Sequence, residues 1–208
     1  MLGVRNDALT DRTSADATYA AVAVDSKGRL LLGSGTGTGA GIVIGQVGGS
    51  MAYVGVTLTR PADTTAYAAK DAVSNSTSAP TVLTFTDLAR VNAGSGYIVK
   101  ARLMTNQSTN TARFRLHLFH TAPTAINDNA AYTMLWANRA NRIGYIDFAA
   151  CSTEGSGSDA AFTQNDTVRL PFVCAAATRN VIAMLETLDV FTPASAQVFY
   201  LELTVDQN

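Results

Sequence analysis

The strongest alternation of apolar and polar positions in the chain lies in residues 96–120. Tyr97, Val99, Ala101 and Leu103 fall on one face, and Lys100 and Arg102 on the other. A polar run over residues 105–111 follows. Then Phe114, Leu116 and Leu118 alternate with Arg113, Arg115 and His117. A period of two belongs to a β-strand, whose successive side chains point to opposite sheet faces. Two such runs joined by a short polar connection predict a hairpin with one dry face and one basic, wetted face.

The same period recurs along the chain. Val54, Val56 and Leu58 alternate with Thr57 and Thr59 until Pro61 ends the run. Further strands are predicted over residues 81–85, 143–148 and 168–174, with one or two more in 181–190. Pro171 makes the 168–174 strand an edge or bulged one, because proline cannot donate to the ladder. In the last run Phe199, Leu201, Leu203 and Val205 point inward while Glu202 and Thr204 point outward. So apolar a strand belongs in the middle of a sheet, since an exposed edge of that composition would aggregate. Residues 75–80, 121–129 and 151–159 read as connections, with Asn127 or Asp128 capping a short helix over 130–137. About eight strands with no sustained helical period predict an all-β fold. Its leading form is an antiparallel β-sandwich, jelly-roll-like, over residues 51–208.

Residues 1–50 follow a different pattern. Residues 4–16 are polar and balanced in charge, residues 19–24 alternate briefly, and Asp25-Ser26-Lys27-Gly28 signals a turn. Leu30-Leu31-Leu32 precedes a run of alternating glycines over residues 33–41, which is linker composition. A strand, a turn and a strand without a third partner are marginal alone. Residues 1–50 therefore read as an extended arm that orders against its own domain, a symmetry mate or another protein.

Composition narrows the function classes. Of 208 residues, 47% are hydrophobic and only 15% charged, against about 25% charged in typical domains. So little charge suggests a surface that meets other protein. With a formal net charge of -1 and no block of like charge, nothing marks a nucleic-acid footprint. Residues 1–7 carry no apolar signal core and no apolar run approaches a membrane span, which predicts a protein made in the cytosol without export or a membrane partner. Asn75, Asn106 and Asn165 open Asn-x-Ser/Thr triplets, which mark loops.

Candidate chemistry is sparse. The glycine run contains no Gly-x-x-x-x-Gly-Lys and no Gly-x-Gly-x-x-Gly, so it is not a nucleotide loop. His117 and His120, the two histidines, fall on opposite faces of a strand, with no cysteine-histidine cluster to complete a zinc site. Ser34, Ser95, Ser156 and Ser158 lie beside glycines, but not in a Gly-x-Ser-x-Gly strand-to-helix turn. Asp147, Glu186 and Glu202 are the candidate carboxylates for a glycoside hydrolase, each in the outward phase of its strand. Trp136 is the single tryptophan, whereas such grooves usually present several aromatic platforms. Asp128, Asp159 and Asp166 form no Asp-x-Asp-x-Asp-Gly calcium loop. Cys151 and Cys174 are too few for a disulfide framework, and their spacing leaves open whether they pair. These absences predict a protein without catalytic residues, metal or cofactor.

Two passages resemble tailed-bacteriophage virion proteins of the head decoration or cement type. One runs from Val4-Arg5-Asn6-Asp7 to Tyr19-Ala20-Ala21-Val22-Ala23-Val24-Asp25-Ser26-Lys27-Gly28-Arg29-Leu30. It is similar to the arm pattern R-N-D … D-Y-x-x-x-x-V-D-x-x-G-R-L, with Ala17-Thr18-Tyr19 in place of the usual Gly-Asp-Tyr. The other spans Leu83-Thr84-Phe85-Thr86-Asp87 with Gly94-Ser95-Gly96-Tyr97-Ile98. It continues through residues 123–132 to Ile143-Gly144-Tyr145-Ile146, and is similar to the β-sandwich body of the same proteins. The resemblance implies a structural virion protein on the capsid exterior, with the major capsid protein and itself, as a homotrimer, for partners. It implies that the arm binds the capsid by strand addition. Tyr19, Val22, Val24, Leu30 and Leu32 would anchor it, and Arg5, Asp7, Asp25 and Arg29 would fix its register. The alternatives are a tail- or fibre-associated module that binds a receptor or glycan, and a polysaccharide-active jelly-roll enzyme.

Overall fold

The structure, a computed structural model, describes residues 50–208. The chain divides between Val47 and Gly48, and the sandwich belongs to the second unit. The predicted arm lies outside the described residues.

Two antiparallel sheets pack face to face. The first is ordered β1 (Ser50–Thr59), β11 (Val198–Gln207), β4 (Ser95–Thr105), β8 (Ala161–Asn165) and β7 (Ser152–Thr153), with β9 (Leu170–Val173) pairing further along β4. The second is ordered β2 (Ala72–Val73), β10 (Val181–Thr187), β5 (Phe114–Phe119) and β6 (Arg142–Phe148), with β3 (Leu83–Phe85) also on β10. Taking β2 with β3 along β10, and β8 with β9 along β4, as interrupted single strands, with β7 a short addition paired beyond β8, gives the eight-strand order of a jelly roll. The terminal strand lies between β1 and β4, at the centre of its sheet as its composition predicts. β9 pairs with β4 alone, which accommodates Pro171.

Period-two patterning decides which side chains are inside. Leu201, Leu203 and Val205 from the first sheet and Leu116 and Leu118 from the second are completely buried. Phe114 of β5 meets Phe199 of β11 edge to face across the sandwich, at 5.3 Å, and Phe191 at 5.6 Å. Such pairs add to the stabilisation that buried area alone supplies.

Two predictions are corrected. The runs over residues 96–120 are strands β4 and β5, but they do not form a hairpin. β4 pairs with β11, β8 and β9, while β5 pairs with β10 and β6 in the other sheet. The polar residues between them cross from one sheet to the other, so the two apolar rows meet through the core. Alternation reports which face is dry; it does not report which strands are neighbours. The predicted helix over residues 130–137 is also absent. Ala131 bridges Asp71 in extended conformation, and a short 3₁₀ helix runs over Trp136–Asn141 instead. The Asp128 carboxylate binds other donors than the amides of a helix, and Asn129 adopts a left-handed φ of 58° that turns the chain.

Phe114→Ala is expected to remove about 3–5 kcal/mol of stability, by lost burial plus a cavity. Val190→Ala, at a position 71% exposed, is expected to change it by no more than about 0.5 kcal/mol. Urea unfolding of both variants checks the contrast; equal losses would contradict this placement of the core.

Candidate functional site

All the predicted arm contacts, Arg5, Asp7, Tyr19, Val22, Val24, Asp25, Arg29, Leu30 and Leu32, lie outside the described residues. What the structure places are the polar groups of the sandwich.

The expected basic face is divided between the two sheets and largely neutralised. Arg102 pairs with Glu202 at 2.8 Å on the outer face of the first sheet. Arg115 pairs with Asp147 at 2.5 Å on the outer face of the second. Arg113 grips Asp189 through two nitrogens, at 3.0 and 2.7 Å, and these bonds hold the Asp189 carboxyl below its usual range. Cross-strand register explains the first two pairs: Arg102 sits opposite Glu202, and Arg115 lies between Glu186 and Asp147.

The densest polar cluster on the second sheet surrounds His117. The ring is buried although its strand phase points outward, because Tyr132 stacks on it at 4.0 Å with the rings 10° apart. Glu186 lies 2.7 Å from Nε2 and Arg142 lies 3.3 Å from Nδ1. These partners define a neutral ring: Nε2–H donates to Glu186, and Nδ1 accepts from the Arg142 guanidinium. Glu186 favours a proton on the ring, but burial opposes it more strongly, and Arg142 and Arg115 add to that opposition. His117 therefore titrates below the ordinary imidazole range. The Tyr132 hydroxyl, buried without a hydrogen-bond partner, is pushed up to about 12 chiefly by that burial. Arg115 and Arg142 both stack on Tyr145, at 4.2 and 5.4 Å from its ring centre.

A second buried network holds the Tyr132 roof in place. Asp128 accepts from Arg60 Nη2 at 2.9 Å, from the Tyr67 hydroxyl at 2.6 Å and from the Ser74 amide at 2.8 Å. Both charged side chains are fully enclosed. Arg60 Nε also donates to the Tyr67 hydroxyl. Burial, reinforced by Asp128, raises the Tyr67 hydroxyl's pKa. From Asp128 the chain runs beside residues 70–76, with Asp128 N–H donating to the Ser76 carbonyl and Tyr132 N–H to that of Lys70, both at 2.8 Å. Sequence reasoning missed this network, since its members lie far apart in the chain and no local motif joins them.

The candidate catalytic groups are not assembled into one site. Glu202 lies on the outer face of one sheet, and Asp147 and Glu186 lie on that of the other, with the core between them. Asp147 and Glu186 are separated by the intervening strand and flank Arg115. Among the described residues no group of three His, Cys, Asp or Glu side chains is placed to hold a metal ion. Cys151 and Cys174 are free, buried thiols, and burial pushes Cys151 up to about 12. A narrow recess between Leu58, Val73, Leu83, Ile126 and Leu185 has about 10 Å³, room for at most one water. The most exposed aromatic side chain among the described residues is Trp136, 79% accessible at the start of the 3₁₀ helix, with the Arg139 guanidinium 4.7 Å from its ring centre. No protein-family model matches the chain, and no curated protein matches it in sequence.

Because the folded pKa of His117 lies below the unfolded value near 6.5, the unfolded state binds more protons under acid conditions. Its contribution to stability is thus lost as pH falls through 6.5 toward the folded pKa. Urea midpoints measured at pH 7.5 and pH 5.5, conditions on either side of about 6.5, are expected to fall toward acid, and less so in His117→Gln. An equal fall in that variant would mean that other groups carry the dependence.

Proposed function

We propose that this chain is a structural virion protein that decorates and stabilises a bacteriophage capsid from outside, with the sandwich as body and the N-terminal residues as the capsid-binding arm. The observation that carries the reading is how the chain enters the fold. Residues 1–49 join at Ser50, the first residue of β1, and among the described strands β1 lies at the edge of its sheet. An arm joined to a sheet edge has a body to tether it without interrupting the core. The pairing of Arg102, Arg113 and Arg115 with carboxylates supports a scaffolding rather than a nucleic-acid-binding role for the sandwich. Ordering an extended arm costs about 1–2 kcal/mol of backbone entropy per residue. Repetition over a symmetric lattice offsets this, since one engaged copy raises the effective concentration of its neighbours. The sister subunits of such an assembly, a trimer in the resemblance, supply that repetition.

A second reading, a tail- or fibre-associated module that binds a glycan or receptor, draws on Trp136 and the half-exposed Leu135 beside it. An accessible indole gives a sugar ring a stacking face.

Co-sedimentation with capsids separates the two. The full chain is expected to pellet with capsids, and a chain lacking residues 1–49 to stay in the supernatant while keeping a cooperative unfolding transition. Trp136→Ala is expected to leave pelleting unchanged. Loss of binding in Trp136→Ala with retention in the truncated chain would favour the second reading.

A further inference from the structure

The geometry points to a self-association surface: the edge of β1 that no described strand pairs with joins antiparallel to β1 of a second copy, about a two-fold axis at Gly55. This inference does not rest on the virion reading.

The first observation is the edge itself. β1 is ten residues long, Ser50-Met51-Ala52-Tyr53-Val54-Gly55-Val56-Thr57-Leu58-Thr59, and among the described residues it pairs with β11 alone. Exposed edges are normally protected by charge, proline, a bulge or shortness. β1 contains no charged residue and no proline, and its register with β11 is continuous from Ser50 to Thr59. Two copies therefore meet without like-charge repulsion.

The second observation is the phase of its hydrogen bonds. The Arg60 amide donates to the Gln197 carbonyl at 3.0 Å, continuing the register that sets Thr59 opposite Val198. In an antiparallel pair, hydrogen-bonded positions alternate. The even-numbered residues of β1 therefore bond to β11, and Met51, Tyr53, Gly55, Thr57 and Thr59 direct their N–H and C=O groups at the open edge. That set is symmetric about Gly55. A two-fold axis there sets Met51 against the partner's Thr59, Tyr53 against the partner's Thr57, and Gly55 against the partner's Gly55, so every outward group is bonded.

Side chains agree with this register. Tyr53, 72% exposed, gains a β-branched neighbour in the partner's Thr57. On the inner face Val54 comes beside the partner's Val56, and Ala52 beside the partner's Leu58. Ala52, Val54 and Val56 are only partly buried in one copy, and the contact extends the core across both sandwiches. Gly55 leaves its outer face to Tyr200, whose hydroxyl would lie 2.2 Å from an added Cβ, so the ring covers the axis position from its own chain.

The competing occupant is the segment that precedes β1. Gly48-Gly49 invites a two-residue hairpin, which would make Val47 and Ser50 a hydrogen-bonded pair. Ser50 is an even position and faces Gln207 instead. A two-residue return at Gly48-Gly49 is therefore out of phase with the outward groups of β1.

Light scattering and hydrogen exchange on the full chain test this together. A mass containing paired copies is expected, with the Met51, Tyr53, Gly55, Thr57 and Thr59 amides slowed about tenfold or more relative to a free edge. Thr57→Pro removes only an outward N–H, and Tyr53→Lys charges the contact. Each is expected to yield monomers whose remaining edge amides, four in Thr57→Pro and five in Tyr53→Lys, exchange freely while the β4, β5 and β11 amides stay protected. A wild-type monomer with fast edge amides overturns the proposal. So does a monomer with slow ones, because the chain's own N-terminal residues would then cover the edge. Assemblies that persist unchanged in both variants also overturn it.

Discussion

The enclosed ion pair between Arg60 and Asp128 is the contact on which the arrangement of the polar surface depends. Two charges with no solvent access are tolerated only when their hydrogen-bonding capacity is met. Here the carboxylate has a guanidinium, a phenol and a backbone amide, drawn from residues 60, 67 and 74. Breaking such a pair by removing one partner typically costs about 3–5 kcal/mol, because the other charge stays buried. The network joins the residue after β1 to the connection that crosses the second sheet. That connection carries Tyr132, and Tyr132 turns an outward-facing histidine into a buried one. The environment of His117 is therefore set in part by an aspartate eleven positions away from neither sheet's strands but from a loop.

The same economy runs through the exposed faces. Several charged residues on the strands answer one another across neighbouring strands, as in Arg102 with Glu202 and Arg115 with Asp147. Tyr200 bridges between Glu202, to which its hydroxyl donates at 3.2 Å, and the space over Gly55. These pairs are partly solvated and individually weak. Their effect is to leave the sheet faces without a strong local charge. Among the described residues, the edge of β1 and the indole of Trp136 remain open, and the two functional readings divide between these parts of the molecule.

Much of the fold was legible in the sequence, because most inward and outward rows keep a period of two; in β4 a bulge opposite Thr204 and Val205 breaks it, so Ile98 rather than Tyr97 is buried in the row of Ala101 and Leu103. Phe114, Leu116 and Leu118, and Leu201, Leu203 and Val205, were assigned their faces correctly. Neighbour relations were not legible, since the cross-sheet passage after Thr105 and a hairpin connection share the same polar composition. Short strands such as Ala72–Val73 and Ser152–Thr153 carry too few residues to show a period. For the polar cluster, outward phase identified Glu186 and His117 but implied solvent. Only the tertiary path of residues 128–132 makes them buried partners, and no local pattern announces it. The arm contacts were read from resemblance, and they fall among residues 1–49.

In the proposed division of labour, the sandwich is a body and residues 1–49 engage a different polypeptide. The most direct measurement is an electron cryomicroscopy reconstruction of the protein on its capsid. The predicted result is density for residues 1–49 lying against capsid subunits while residues 50–208 keep their own jelly roll. Density for those first residues packed wholly on their own sandwich would contradict it.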